Sequence, residues 1–208
     1  MLDTYSSLKD AVAGSAGQSW SHRNDVLSRF DDFLLLAEEE IFRHLRIRDQ
    51  EIRSTASLST STRFLALPDD FLEIRRMELE HSDSIYPLQF VTAGTLVEMV
   101  DVGRPQRFTV TSQFEFDRLP DVAYTAELQY FGKLTGLSSA NPTNALLTRF
   151  PSVYLYSCLA QLWIWAMDIE KSTAFILQSM DAIKEANRQD NDGRYGPNPQ
   201  AIYRGAVV

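Results

Sequence analysis

A single cysteine, Cys158, stands in the chain, so no intrachain disulfide can staple the fold. Histidine is almost as scarce. His22, His44 and His81 are scattered, no His-x-x-x-His pair exists, and a metal site needs several ligands at fixed geometry. No run approaches the ~20 predominantly apolar residues of a membrane span. The longest, Val153 to Ile169, is interrupted by Ser157, Gln161 and Asp168. Basic residues are in deficit, with 20 Lys and Arg against 28 Asp and Glu and a net charge of −8. That excludes a generally basic face for phosphate contacts. Met1-Leu2-Asp3-Thr4 has no basic stretch leading into an apolar one, so a secretory signal is not expected. Neither a Gly-x-Ser-x-Gly elbow, nor a phosphate-cradling glycine loop, nor a dinucleotide fingerprint is present. The expectation is a soluble, non-enzymatic protein without cofactor or metal, made in a reducing cytoplasm.

What is present suits one globular domain with an insertion: 208 residues, 44% hydrophobic and 23% charged. Tyr5 to Val12 reads as a short helix ended by Gly14 and Gly17. Ser21, Asn24 and Asp25 offer caps to a long helix in which Val26, Phe30, Phe33, Leu34, Ala37, Ile41 and Leu45 recur at helical spacing. Leu35 and Phe42 widen its apolar surface. Pro151 suits a first helical turn. Val153 to Met167 is apolar nearly all round, the mark of a helix covered by neighbours. Ser172 to Asn187 predicts a last helix with a narrower stripe.

The middle of the chain alternates as strands do. Leu58 and Phe64 to Leu67 suggest two arms of a hairpin, and Ile74 to Leu79 and Ile85 to Val91 two further strands. Thr92 is a candidate cap for a short helix through Val100. Thr111-Ser112-Gln113 reads as a tight turn between short strands. Asp69-Asp70, beside Pro68, reads as a turn with a helix cap. Tyr124, Ala126, Leu128 and Tyr130 give the clearest period of two. The fold class expected is α+β, mainly α: a bundle of N- and C-terminal helices, a β-rich insertion forming a small sheet or barrel, and an extended C-terminal tail. The expected boundaries are one domain over 1–190, helical in 1–47 and 141–190, with the insertion at 48–140 and the tail at 191–208.

Few residues offer chemistry. Glu38, Glu39, Glu40 and His44 form the densest ionisable cluster, with Glu40 and His44 one turn apart. A solvated helix face or an intersubunit contact explains them better than a metal site or a small enzyme's acid. Arg46, Arg48, Arg53, Arg75 and Arg76 surround the start of the insertion, as a salt-bridged strand edge or a basic face for an acidic neighbour. Cys158, inside the most apolar helix, is a core residue. The tail is polar but carries Tyr195, Ile202, Tyr203, Val207 and Val208, suited to anchoring in a partner's groove.

Four blocks in order then carry a resemblance: Leu67-Pro68-Asp69-Asp70-Phe71-Leu72-Glu73-Ile74-Arg75-Arg76, Gly103-Arg104-Pro105, Tyr124 to Phe131, and Asn141-Pro142-Thr143-Asn144-Ala145-Leu146-Leu147-Thr148-Arg149-Phe150-Pro151 running into Val153-Tyr154-Leu155-Tyr156. In this order and spacing the chain resembles the head-to-tail adaptor proteins of tailed bacteriophages, from about Tyr5 to Arg194. The resemblance implies a structural virion protein at the head–tail junction. Around twelve copies would form a ring under the portal, continue the DNA channel without sequence-specific contact and meet the tail or nozzle protein. It implies portal docking through Tyr195, Ile202, Tyr203 and Arg204, and subunit contacts through Arg46, Arg48, Arg75, Arg76, Glu39 and Glu40. A tail-side nozzle or completion protein is the alternative within the virion.

Overall fold

Two buried cores form in different stretches of the chain. A computed structural model describes residues 2–15 and 23–195. Its contacts divide into a helical unit, 1–49 with 134–208, and a β unit, 50–133.

The helical unit holds α1 (Tyr5–Ser15), α2 (Arg23–His44), α3 (Ala145–Arg149), α4 (Pro151–Trp165) and α5 (Ile169–Tyr195). The central element is α4, against which α1, α2 and α5 all pack. Its apolar circumference explains this: Val153, Tyr154, Cys158, Leu159 and Leu162 are buried, and so is one face of α2 with Phe30, Phe33, Ala37 and Ile41. Pro151 occupies the first turn of α4, where no backbone N–H is needed. The helix ends in a Schellman arrangement, with Met167 N donating to Ile164 O and Asp168 N to Trp163 O, both at 3.1 Å. Met167 takes the left-handed position there, at φ 57°. Asp168 then caps α5 by accepting from Lys171 N at 3.0 Å.

The β unit contains β1 (Glu51–Leu58), β2 (Phe64–Leu65), β3 (Phe71–His81), β4 (Ser84–Pro87), β5 (Gln89–Phe90), β6 (Arg107–Val110), β7 (Phe114–Phe116) and β8 (Tyr124–Gly132). They make two four-stranded sheets, ordered β1-β8-β3-β4 and β2-β7-β6-β5. The inner-facing residues Met77, Leu79, Ala126 and Leu128 of the first sheet share one core with Phe108, Phe114 and Phe116 of the second. Ser82 and Asp83, both at positive φ, form the two-residue turn between β3 and β4.

The mainly helical class with a small sheet is therefore corrected. Among the described residues the structure is 45% helix and 23% strand, with two four-stranded sheets. The second sheet is built from strands of two to four residues, too short to show a period of two. The partners of β2 and β5, in addition, are distant in sequence, while β6 and β7 form the hairpin expected around Thr111-Ser112-Gln113. The expected hairpin of Leu58 with Phe64–Leu67 is absent, since β1 pairs with β8 and β2 with β7. Thr92 precedes a single turn, Ala93–Thr95, without a side-chain cap bond, rather than a helix to Val100. Asp70 caps no helix; it precedes β3 and accepts from the Tyr130 hydroxyl at 2.8 Å. Residues 191–195 continue α5 rather than an extended tail, and 196–208 lie outside the described residues.

Candidate functional site

The block Asn141 to Pro151 owes its composition to one polar knot in the helical unit. Asn144 caps α3, its Oδ1 accepting from Leu147 N at 2.9 Å. Its Nδ2 donates to Thr135 O at 3.1 Å and to the Tyr154 hydroxyl at 2.8 Å. That hydroxyl in turn donates to Glu38 Oε1 at 3.0 Å, and the same oxygen accepts from Leu137 N at 2.8 Å. Asn141 Nδ2 bonds Gly136 O at 2.8 Å, and Pro142 O accepts from Tyr5 N at 2.7 Å. Burial raises the Glu38 carboxyl above its ordinary value, against the lowering bonds from Leu137 and Tyr154. Burial, with the Glu38 charge beside it, pushes the Tyr154 phenol far up, and burial does the same to the Cys158 thiol. A thiol so placed is inert. These groups are arranged to hold helices rather than to react.

A second knot ties the segment after α2 to the end of α5. Asp190, fully buried, accepts from Arg48 N at 2.8 Å, and its Oδ1 lies 3.4 Å from Arg48 Nε and 3.2 Å from Arg149 Nη2. Arg149 also pairs with Asp49. Arg46 N donates to Asn187 Oδ1 at 2.8 Å, while Arg46 Nη1 donates to Phe42 O and Leu45 O at 2.9 and 2.7 Å, closing the carbonyl end of α2. Arg46 and Arg48 are thus engaged within their own unit. Glu39 and Glu40 stand on the exposed side of α2, paired to Arg43 at 3.3 and 2.9 Å, with His44 at 3.2 Å from Glu40. Among the described residues no group of three or more His, Cys, Asp or Glu side chains is gathered for a metal.

In the β unit, the outer face of the first sheet is charged. Gln129 of β8 stands in register between Arg53 of β1 and Arg76 of β3. Arg53 lies 3.7 Å from Glu127, and Arg76 pairs with Glu78. With Ile85 of β4 these side chains line a shallow cleft. Arg75 reaches Glu51 at 3.8 Å and stacks on Phe131. Tyr195 is the last residue of α5, while Ile202, Tyr203 and Arg204 fall outside the described residues.

Sequence reasoning passed over Glu38 as one acid of a run; its place beside Ala37 and Ile41, on the buried side of α2, was the available signal. It also passed over Asp190, whose polar neighbours read as tail. The sequence suggests a short helix from a Thr92 cap through Val100, and the apolar run Leu96 to Val102 overlaps its end. The run is instead an exposed loop, with Val97, Met99, Val100 and Val102 turned to solvent.

No curated protein matches the chain. A family model described as SU10 adaptor protein matches residues 3–201, nearly the whole sequence. The chain therefore belongs to the SU10 adaptor protein family, in keeping with its resemblance to the head-to-tail adaptors of tailed phages.

Proposed function

We propose that this adaptor forms a ring of around twelve copies that joins the portal to the tail and continues the DNA channel. The family match over residues 3–201 carries the reading. Its partners are the portal protein, further copies of itself, and the tail or nozzle protein. DNA passes through without sequence-specific binding, and the net charge of −8 supports this, since like charge opposes adhesion of the phosphate backbone. The role is structural and the site is the virion. Among the described residues no helix is long and apolar enough to cross a membrane. The segment from Tyr195 through Ile202, Tyr203 and Arg204 docks in grooves of the portal.

Electron microscopy of the purified protein mixed with portal rings of the same phage tests this directly. A new ring-shaped layer on the portal is the expected result, and its symmetry gives the copy number. No added density at concentrations where both proteins are soluble overturns the reading. Deleting residues 196–208 is expected to leave a folded protein that no longer binds portal; unimpaired binding removes the anchoring role.

A further inference from the structure

Two patches of the β unit are built as mirror images in charge. The first is a crest formed by the loop Val97 to Val102. It is held in shape from below: Met99 N donates to Asp117 O at 2.7 Å, and Gly103 N to Leu119 O at 2.9 Å. The buried Asp117 carboxylate accepts from Gln106 N at 3.1 Å. Val97, Val100 and Val102 are exposed on this frame, three apolar side chains within six residues of one loop. Its two ion pairs are layered. Glu98 is 65% exposed over Arg63 at 22%, and Asp101 is 65% exposed over Arg118 at 13%. The carboxylates therefore face outward and their guanidiniums lie beneath.

The second patch is the cleft on the outer face of the first sheet, and there the layering is inverted. Arg53 is 72% exposed beside Glu127 at 38%, and Arg76 is 61% exposed beside Glu78 at 15%. The guanidiniums face outward. Ile85 stands among them as an exposed apolar residue, while its neighbour Tyr86 turns into the core. One patch thus offers two carboxylates around valines, and the other two guanidiniums around an isoleucine.

We infer that the crest of one copy docks on the sheet face of the next, with Glu98 and Asp101 against Arg53 and Arg76 and with Val100 against Ile85. The occupant is a second copy of this chain because the two patches are opposite in charge sign and each carries exposed apolar side chains. They are different surfaces, so the contact is heterologous, the kind that closes into a ring when the rotation allows. The inference deepens the ring reading above and rests on it.

Disulfide trapping in the full chain tests it. A chain carrying both Val100→Cys and Ile85→Cys is mildly oxidised, alone and on portal rings; Cys158 is fully buried and does not compete. The expected product is a ladder of linked multimers, with each link mapped by mass spectrometry to positions 100 and 85, while either single variant stops at dimers. A double variant that links no further than the single ones, in both settings, overturns the contact. Charge reversal supplies the second arm. Glu98→Lys with Asp101→Lys, or Arg53→Glu with Arg76→Glu, is expected to weaken association roughly tenfold or more, and an equimolar mixture of the two chains to restore it. Thermal melts of each chain check folding. Reversed chains that assemble like wild type also overturn the contact. If a ring layer forms on portal while no ladder forms, the contact alone fails; if neither forms, the ring reading fails with it.

Discussion

The Tyr154 hydroxyl donates to Glu38 Oε1 at 3.0 Å, joining the first turn of α4 to the C-terminal third of α2 at a point where the tyrosine is fully buried. Asn144 Nδ2 donates to the same hydroxyl at 2.8 Å, so one phenol serves three elements of the helical unit.

Tyr154→Phe removes that hydroxyl and leaves a half-buried carboxylate and an amide each short of a partner. A loss of about 1–2 kcal/mol is expected, the contribution of the lost hydrogen bonds, since Glu38 keeps Leu137 N and Asn144 keeps Thr135 O as partners. Urea denaturation measures it. A variant as stable as wild type would show that the knot contributes nothing.

Glu38 also sets a pH dependence. Burial raises its folded-state value above the unfolded one, so its contribution is fully present below the ordinary glutamate value of about 4.3 and is lost as pH rises through the folded value. Wild type minus Glu38→Gln stability, followed by urea titration from about pH 4 upward, should fall with rising pH. A difference that is flat or grows with pH contradicts the assignment.

A Cβ added at Gly136 would lie 2.7 Å from Glu38 Oε2, so the end of that side chain must shift and loosen the bonds it accepts from Leu137 N and the Tyr154 hydroxyl. Gly136→Ala is expected to cost about 1 kcal/mol through this displacement. In Glu38→Ala the obstacle is gone, so the double variant should be more stable than the sum of the single effects predicts. Strict additivity in denaturation would argue that the cost lies in the backbone and not in the displacement.

Met167 holds the left-handed position that glycine ordinarily fills in a Schellman end. Met167→Gly should raise stability by about 1 kcal/mol, and Met167→Val should lower it, because a β-branched side chain tolerates positive φ least. Thermal denaturation orders the three proteins. A Gly variant less stable than wild type would mean the exposed methionine makes a stabilising contact.

Asp190→Ala removes the acceptor that Arg48 and Arg149 share in the second knot. Breaking a buried pair costs about 3–5 kcal/mol, and both guanidiniums retain some access to water, so about 2–3 kcal/mol is expected here. Chemical denaturation reads it directly. A change below about 0.5 kcal/mol would place Asp190 among ordinary surface acids.

Local signals read the helices well. The i, i+3, i+4 spacing from Val26 to Leu45 marked the buried face of α2, and Pro151 marked the start of α4 to the residue. The alternation from Tyr124 to Tyr130 marked β8, an interior strand that pairs with β1 and β3. Pairing was not legible in the same way. Phe64–Leu65 and Gln89–Phe90 fall within segments expected to be strands, but their partners, β7 and β6, are set only by the tertiary fold. Glu38 lies in a run of three acids; its place beside Ala37 and Ile41 sets it apart in the sequence, but its partners, Leu137 N and the Tyr154 hydroxyl, come only with the tertiary fold.

By itself the sequence determined the order of helical and β segments, the apolar faces, the inert buried cysteine and, through the order of its blocks, the family. Those properties reside in short windows of chain, where periodicity, capping and proline geometry act. Only the tertiary structure decided that the insertion folds as two sheets on one core, that Asp190 and Glu38 are interior, and that carboxylates top the crest while guanidiniums top the sheet face. Each of these depends on residues far apart in the chain meeting in space, and the burial that assigns a charge to the inside or the outside of an ion pair exists only once they have met.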